Sequence, residues 1–218
     1  MTTDRPDLPD FVARALALAE PGRAILGIAG PPGAGKTTFA LALVAAIEAE
    51  RPGVAVHVPM DGFHLADVEL ARLGLADRKG APDTFDADGY RALLHRLRAD
   101  GPRETVYAPA FDRELEQPVA GSIPVGPEAR LVVSEGNYLL LPEPRWRAAR
   151  EQCDEVWWVD AGADERTRRL VARHERFGKS HAAAEAWVRD VDGANARLIE
   201  TTREGADLIV PGDLELPG

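Results

Sequence analysis

Short apolar runs recur along the chain, separated by longer stretches in which apolar positions have helical spacing. The runs are almost free of polar side chains, which predicts strands buried on both faces of a parallel sheet: Ala24–Ala29, Val54–Val58, Leu131–Ser134, Val156–Asp160 and Asp207–Val210. The helical pattern covers Asp10–Glu20, Lys36–Glu50, Leu65–Leu73, Ala87–Ala99, Ala163–Arg176 and His181–Thr202. This alternation predicts one α/β domain over residues 1–218, with three layers and helices on both faces of the sheet.

The stretch from Gly101 to Pro127 interrupts the alternation. It contains four prolines before Pro127 itself, so we predict a loop or a short hairpin outside the core. No internal repeat or low-complexity tract divides the chain.

Composition narrows the function classes. The formal net charge is -10 at pH 7 and the pI is near 5.0, which argues against nucleic acid or an anionic membrane surface as the main partner. Cys153 is the only cysteine, so no intrachain disulfide is expected. The sequence shows no apolar leader and no apolar run near the roughly 20 residues that a membrane span needs. These features predict a cytoplasmic protein.

The segment from Gly30 to Thr37 fits the phosphate-loop (Walker A) pattern G-x-x-x-x-G-K-[ST], between a predicted strand and a predicted helix. Glycines let backbone N–H groups turn toward the phosphates, and the helix N-terminus adds partial positive charge. We expect Lys36 to reach the β- and γ-phosphates of ATP and the Thr37 hydroxyl to bind Mg²⁺. The predicted nucleotide-binding set is Gly30, Gly33, Ala34, Gly35, Lys36, Thr37 and Thr38.

Two acidic residues follow predicted strands at the edge where the phosphate loop lies. Asp61 comes after the second strand and Glu135 ends the third. Ligands bind beyond the carboxyl ends of strands in such sheets. Asp61 therefore suits the base that accepts a hydroxyl proton, or a Mg²⁺ ligand through water. Glu135 is predicted to help hold Mg²⁺. A turn-capping role for Asp61 and a plain loop position for Glu135 are the alternatives.

Arginines crowd the helix that follows the fourth strand. Arg166, Arg169, Arg173 and Arg176 share one face of it, and a break at Phe177–Ser180 follows. This place in a phosphate-loop kinase predicts a lid over about residues 164–181, with Arg169 and Arg173 contacting the transferred phosphoryl group. A solvated stripe paired with nearby acids is the alternative.

Several blocks together resemble the phosphoribulokinase/uridine kinase/pantothenate kinase superfamily. They are the phosphate loop, Asp61-Gly62-Phe63-His64, Lys79-Gly80 with Thr84-Phe85-Asp86, Pro109 to Arg113, Pro118 to Gly121, and Glu135-Gly136-Asn137-Tyr138. Within it, the chain is similar to a bacterial nucleoside/nucleotide kinase-like branch with members provisionally named fructose transport system kinases.

The resemblance implies a sheet order of 2-3-1-4-5, Asp61 as catalytic base and Glu135 near Mg²⁺. It also implies that nucleotide adenine lies near Asn195 and Arg203. The acceptor side would comprise His64, Lys79, Phe111, Arg113, Asn137 and Tyr138. Phe111-Asp112-Arg113 departs from the uridine kinase pattern, so the acceptor stays open.

Two functions remain after these steps. The first is ATP- and Mg²⁺-dependent phosphotransfer to a hydroxyl of a small metabolite, such as a sugar, a nucleoside or a pantothenate-like compound. The second is a nucleotide-binding regulatory ATPase without a small-molecule acceptor. The Asn-Lys-x-Asp motif of GTPases and the Ser-Gly-Gly-Gln signature of transport ATPases are absent. Dimerisation is common among such kinases, but no segment identifies an interface.

Overall fold

The computed structural model describes residues 6–98 and 104–216. Its strands, in chain order, are β1 (Ala24–Ala29), β2 (Ala55–His57), β3 (Val106–Asp112), β4 (Gln117–Val125), β5 (Leu131–Glu135), β6 (Glu155–Asp160) and β7 (Leu208–Pro211). Five of them form a parallel sheet in the order β2-β5-β1-β6-β7. This order differs in its numbers from the predicted 2-3-1-4-5 because β3 and β4 intervene in the chain and pair with each other outside the sheet.

The helices are α1 (Leu8–Leu18), α2 (Lys36–Glu50), α3 (Asp67–Leu73), α4 (Ala87–Arg98), α5 (Pro144–Arg150), α6 (Ala163–Arg176), α7 (His181–Trp187) and α8 (Gly193–Glu200). Local chemistry explains several of their starts. The Asp7 carboxylate accepts from the Asp10 N–H to begin α1, and the Ser180 hydroxyl accepts from the Ala183 N–H to begin α7. In the described part of the chain, no helix is both long and apolar enough to cross a bilayer.

Alternate residues of the sheet strands feed two separate cores, which makes the domain three-layered. Leu26 and Ile28 of β1 join α1 and α2 on one face, where Phe11 packs on Phe39 and Trp157. Their neighbours on β1 face the opposite core, which is built with α4, α5 and α8. Both faces are covered, so the centres of the sheet strands are apolar, and their few polar residues lie near the strand ends.

Three local features depart from the sequence prediction. The predicted helix His181–Thr202 is divided by a π-helical stretch, Val188–Asp192, between α7 and α8. Helix α5 was missed because it has only seven residues and begins with a proline. The predicted hairpin is present as β3 and β4, which contain Pro109, Pro118 and Pro124 and shift register between Ala108 and Ala110. Contrary to the prediction, its residues Val106, Ala108 and Val125 are buried in the core. The predicted helix end at Ala99 and residues 101–103 lie outside the described residues.

Candidate active site

The phosphate loop joins the carboxyl end of β1 to α2. Three of its glycines have positive φ angles, Gly30 at 143°, Gly33 at 76° and Gly35 at 98°, a region that side chains other than glycine rarely adopt. Gly33 also lies against α6, because a Cβ there would sit 2.8 Å from the Arg166 carbonyl oxygen. The loop therefore keeps both its curvature and its contact with α6 only with glycine.

Lys36, the first residue of α2, points its ammonium group into the site. Its Nζ donates to the Pro31 carbonyl at 3.1 Å and to Asn137 Oδ1 at 2.6 Å. Burial lowers the pKa of Lys36 to about 8, although the nearby carboxylates of Glu135 and Asp61 act in the opposite direction. Asn137 thus holds the lysine at the place where sequence predicts phosphate.

A hydroxyl and a carboxylate meet beside this lysine. Thr37 Oγ1 donates to Glu135 Oε1 at 3.1 Å, and Glu135 is buried at the end of β5. Burial, together with the negative charge of Asp61, raises the pKa of Glu135. These hard oxygen donors suit Mg²⁺, which commonly takes one or two carboxylates and fills its remaining positions with phosphate oxygens and water. Among residues 6–98 and 104–216, no group of three or more His, Cys, Asp and Glu side chains forms a complete metal cage.

Asp61 lies on a 3-10 turn, Met60–Phe63, that follows β2. The turn packs tightly on the hairpin, since a Cβ at Gly62 would lie 2.4 Å from the Pro109 carbonyl oxygen. Arg113 Nη2, from the far end of the hairpin, donates to Asp61 Oδ2 at 2.7 Å. His64 Nε2 lies 3.9 Å from the other carboxylate oxygen, Oδ1.

Aromatic rings form the wall next to Asp61. The His64 ring lies 3.9 Å from the Phe85 ring and 5.0 Å from the Phe111 ring, measured between centroids. Burial lowers the pKa of His64 to about 4, so its imidazole is neutral at pH 7. Lys79 Nζ lies 5.6 Å from the Phe111 centroid and donates to Asp67 Oδ1 at 2.7 Å.

All these groups open into one cavity of about 570 Å³. Of the predicted acceptor residues, His64, Lys79, Phe111, Arg113 and Asn137 line it. Tyr138 does not: it is fully buried, and its hydroxyl donates to the Gly80 carbonyl. Its predicted contact with the acceptor is replaced by support of the Gly80 loop. The reason is that Tyr138 packs inward against Phe85 and Trp146.

The arginines on one face of α6 have different surroundings. Arg173 lines the large cavity, and its positive charge contributes to the lowered pKa of Lys36. Arg169 instead donates to the Ala34 carbonyl at 3.3 Å and pairs with Glu165. Arg166 is buried and paired with Glu200 of α8. The two arginines predicted to contact phosphate therefore lie on different sides of the phosphate loop.

A second cavity of about 360 Å³ lies beside Arg169. Gly35, Thr38 and Phe39 of the phosphate loop and α2 line one side of it, and Pro211 and Leu214 beyond β7 line the other. Asn195 and Arg203, expected near adenine, are not among its lining residues: Asn195 lines the large cavity, and Arg203 pairs with Asp160.

Several residues of the large cavity were not predicted from sequence. His174, Trp187 and Asp192 line it, with His174 Nε2 hydrogen-bonded to Asp192 Oδ2 at 2.8 Å. The π-helical stretch turns Asp192 toward this wall, and apolar periodicity alone carries no signal for that turn. His57, at the end of β2, lies 3.8 Å from Glu135 Oε1 through its Nε2. Its position at the end of an apolar strand, next to the segment that carries Asp61, was the available sequence signal.

Comparisons with known proteins agree with this geometry. The chain is 32% identical, over 96% of its length and 94% of the relative's, to a provisionally named uridine kinase from Schizosaccharomyces pombe. It is 35% identical to an ATP-dependent kinase-like protein from Aspergillus versicolor, over 71% of this chain and 94% of that one. A crystal structure of a provisionally named fructose transport system kinase from Silicibacter superposes with a TM-score of 0.85 and 40% identity. That superposition covers 95% of this chain and 100% of the other.

Residues 25–211 match the sequence profile of the Phosphoribulokinase / Uridine kinase family. That range holds the phosphate loop, both candidate carboxylates, the hairpin and α6, all the elements that build the site. The chain belongs to the phosphoribulokinase/uridine kinase family of phosphate-loop kinases.

Proposed function

We propose that this chain transfers the γ-phosphoryl group of ATP, with Mg²⁺, to a hydroxyl of a small metabolite. The observation that carries the proposal is the single 570 Å³ cavity, which is lined at one end by Lys36 and Thr37 and at the other by Phe111 and Arg113. Asp61 lies between these ends. A regulatory ATPase needs the first end only, so the second end favours an enzyme with an acceptor.

Phosphoryl transfer requires little covalent chemistry from the protein, so position and charge carry most of the rate. Lys36 would hold the β- and γ-phosphate oxygens, and backbone N–H groups of the loop would surround the β-phosphate. Thr37 and Glu135 would hold Mg²⁺, which when bound neutralises charge on the phosphates. Arg173 would add positive charge from α6.

The acceptor hydroxyl would approach the γ-phosphorus beside Asp61. Its oxygen forms the new O–P bond while the bond from the γ-phosphorus to the β,γ-bridging oxygen breaks. That electron pair stays on the β-phosphate of ADP, and Asp61 accepts the hydroxyl proton. The neighbouring His64 is neutral at pH 7, so it places no positive charge beside the Asp61 carboxylate.

The second cavity suits the nucleotide base. It begins at Gly35 and Thr38, directly beside the phosphate loop, and continues to Leu214 and Leu216 as apolar walls. Arg169 borders this cavity and Arg173 the other. We assign residues 164–181 to a lid, because this segment touches both cavities and carries Arg173 and Lys179 at the large one.

ADP release from ATP and Mg²⁺ across a panel of sugars, nucleosides, pantothenate and hydroxy acids tests the proposal. Stimulation by one acceptor class, absent in Lys36→Ala, is the expected result. Background ADP release that no acceptor raises, and that Lys36→Ala abolishes, would instead support the regulatory ATPase.

A further inference from the structure

An ion pair occupies the carboxylate that phosphotransfer needs free. Arg113 Nη2 binds Asp61 Oδ2 at 2.7 Å, and the other carboxylate oxygen faces His64 at 3.9 Å. An arginine bound in this way competes with an incoming hydroxyl for the same oxygen. Release of Asp61 by Arg113 would make both carboxylate oxygens available when the acceptor arrives.

The ion pair between Arg113 and Asp61 can open at little energetic cost. The Arg113 side chain is 46% exposed, and exposed ion pairs contribute little to stability. Its guanidinium carbon lies 4.9 Å from the Phe111 ring centroid, so the ring can support the group while its bonds change. Within the described residues, Nη2 is the only guanidinium nitrogen of Arg113 with a hydrogen bond. The remaining N–H groups have capacity for a second anion.

We propose that Arg113 selects an acceptor that carries an anionic group, either a carboxylate or a phosphomonoester. This inference rests on the proposed phosphotransfer. The planar guanidinium fits either anion through two parallel hydrogen bonds. As the anion binds, it draws Arg113 from Asp61, and the carboxylate becomes available to the acceptor hydroxyl. Recognition of the acceptor and release of the base are then one movement.

The other charged side chains near Phe111 are less suited than Arg113 to bind the anionic group of the acceptor. Lys79 stands beside the same ring, but its Nζ already donates to Asp67 and to the Glu116 carbonyl. Glu114 and Glu116 line the cavity with exposed side chains, where water screens them. The Asp192 carboxylate is held by His174.

Matched acceptor probes test the inference. With the nucleotide site saturated by ADP, we would titrate D-glycerate against glycerol, and ribose 5-phosphate against ribose, by calorimetry. We expect at least tenfold tighter binding of one anion than of its neutral partner, and loss of that preference in Arg113→Gln. Preference for D-glycerate identifies the carboxylate, and preference for ribose 5-phosphate identifies the phosphomonoester.

Arg72→Gln is the control, because Arg72 forms an exposed pair with Glu69 at 2.6 Å outside the cavity. It should bind both anions as the parent does. Equal affinity for anionic and neutral partners, no binding of either anion, or an anion affinity unchanged in Arg113→Gln would each overturn the inference. ADP affinity, measured first and compared with Lys36→Ala, reports on the proposed function separately. ADP binding with acceptor-stimulated turnover but no anion preference would refute only the role of Arg113.

Discussion

Burial sets the protonation of the groups around the phosphate loop. The carboxylate of Glu135 and the ammonium of Lys36 both lose solvation there, which moves the pKa of the acid up and that of the base down. A bound nucleotide phosphate would favour the charged form of Lys36, and a bound cation would favour the charged form of Glu135. The site therefore disfavours the charged forms of Lys36 and Glu135 more without nucleotide than with it.

This balance predicts a pH-dependent nucleotide affinity. Because the pKa of Lys36 is about 8, the lysine loses its proton above that pH in the free protein, whereas bound phosphate keeps it charged. Affinity for ADP should therefore fall as pH rises from 7 to 9, approaching tenfold per unit above 8, with uptake of one proton. Calorimetry in buffers of different ionisation enthalpy measures both. Equal ADP affinity at pH 7 and pH 9 would contradict a lowered pKa of Lys36 as the cause.

Asp61→Asn tests the proposed base directly. The amide keeps the size of the side chain but accepts no proton, so we expect phosphotransfer to fall by about 10²–10⁴-fold. ADP affinity should change little, because the Asp61 carboxylate is hydrogen-bonded to Arg113 of the hairpin and not to the phosphate loop. Asp88→Asn is a matched control, since Asp88 pairs with Arg145 at the surface. Transfer near the parental rate in Asp61→Asn would refute the assignment.

At the scale of elements, two close contacts hold the site together. The 3-10 turn that carries Asp61 rests on the hairpin through Gly62, and the phosphate loop rests on α6 through Gly33. Neither contact leaves space for a methyl group. The hairpin and α6 are therefore parts of the site even where they donate no side chain to it.

Gly33→Ala should displace α6 from the phosphate loop. The new Cβ would meet the Arg166 carbonyl oxygen at 2.8 Å, and φ at this residue is 76°, so strain and displacement of α6 both follow. We expect at least tenfold weaker ADP binding and a loss of about 1–3 kcal/mol in the free energy of unfolding. Thermal and urea unfolding with nucleotide titration measure the two effects. Gly22→Ala, where no atom lies within 4 Å, should change neither.

The whole molecule depends on two cores separated by one sheet. Trp157 is completely buried on the α1 and α2 face, with its ring 5.7 Å from Phe11 and 6.3 Å from Phe39. Trp158, the next residue, belongs to the opposite core. A single strand thus ties both layers together through adjacent tryptophans.

Trp157→Ala should lower the free energy of unfolding by about 3–5 kcal/mol, because it leaves a cavity in this core. Trp157→Phe keeps an aromatic ring and should cost clearly less. Urea unfolding measures both, and ADP affinity in the folded protein should stay at the parental value for each. An equal loss for the two variants would show that the ring packing contributes little.

Local patterns were enough to determine the alternation of strands and helices, the phosphate loop and the two carboxylates. Each depends on neighbours in the chain: apolar runs for buried strands, glycines before Lys36 for the loop, acids at strand ends for Asp61 and Glu135. The bounds of β1, α2 and α6 agree with the prediction to the residue. The family resemblance, carried by the same local blocks, is confirmed by the match over residues 25–211.

Only the tertiary structure decided which side chains share the cavity. Tyr138 follows Asn137 directly, yet one is buried behind Gly80 and the other binds Lys36. The Arg113–Asp61 pair joins residues 52 positions apart, and His174–Asp192 depends on a π-helical turn. Such pairings arise from packing between distant elements, whose energies are absent from any local pattern. Sequence therefore determined the residues proposed to bind phosphate, and the folded chain determined the shape and charge of the proposed acceptor wall.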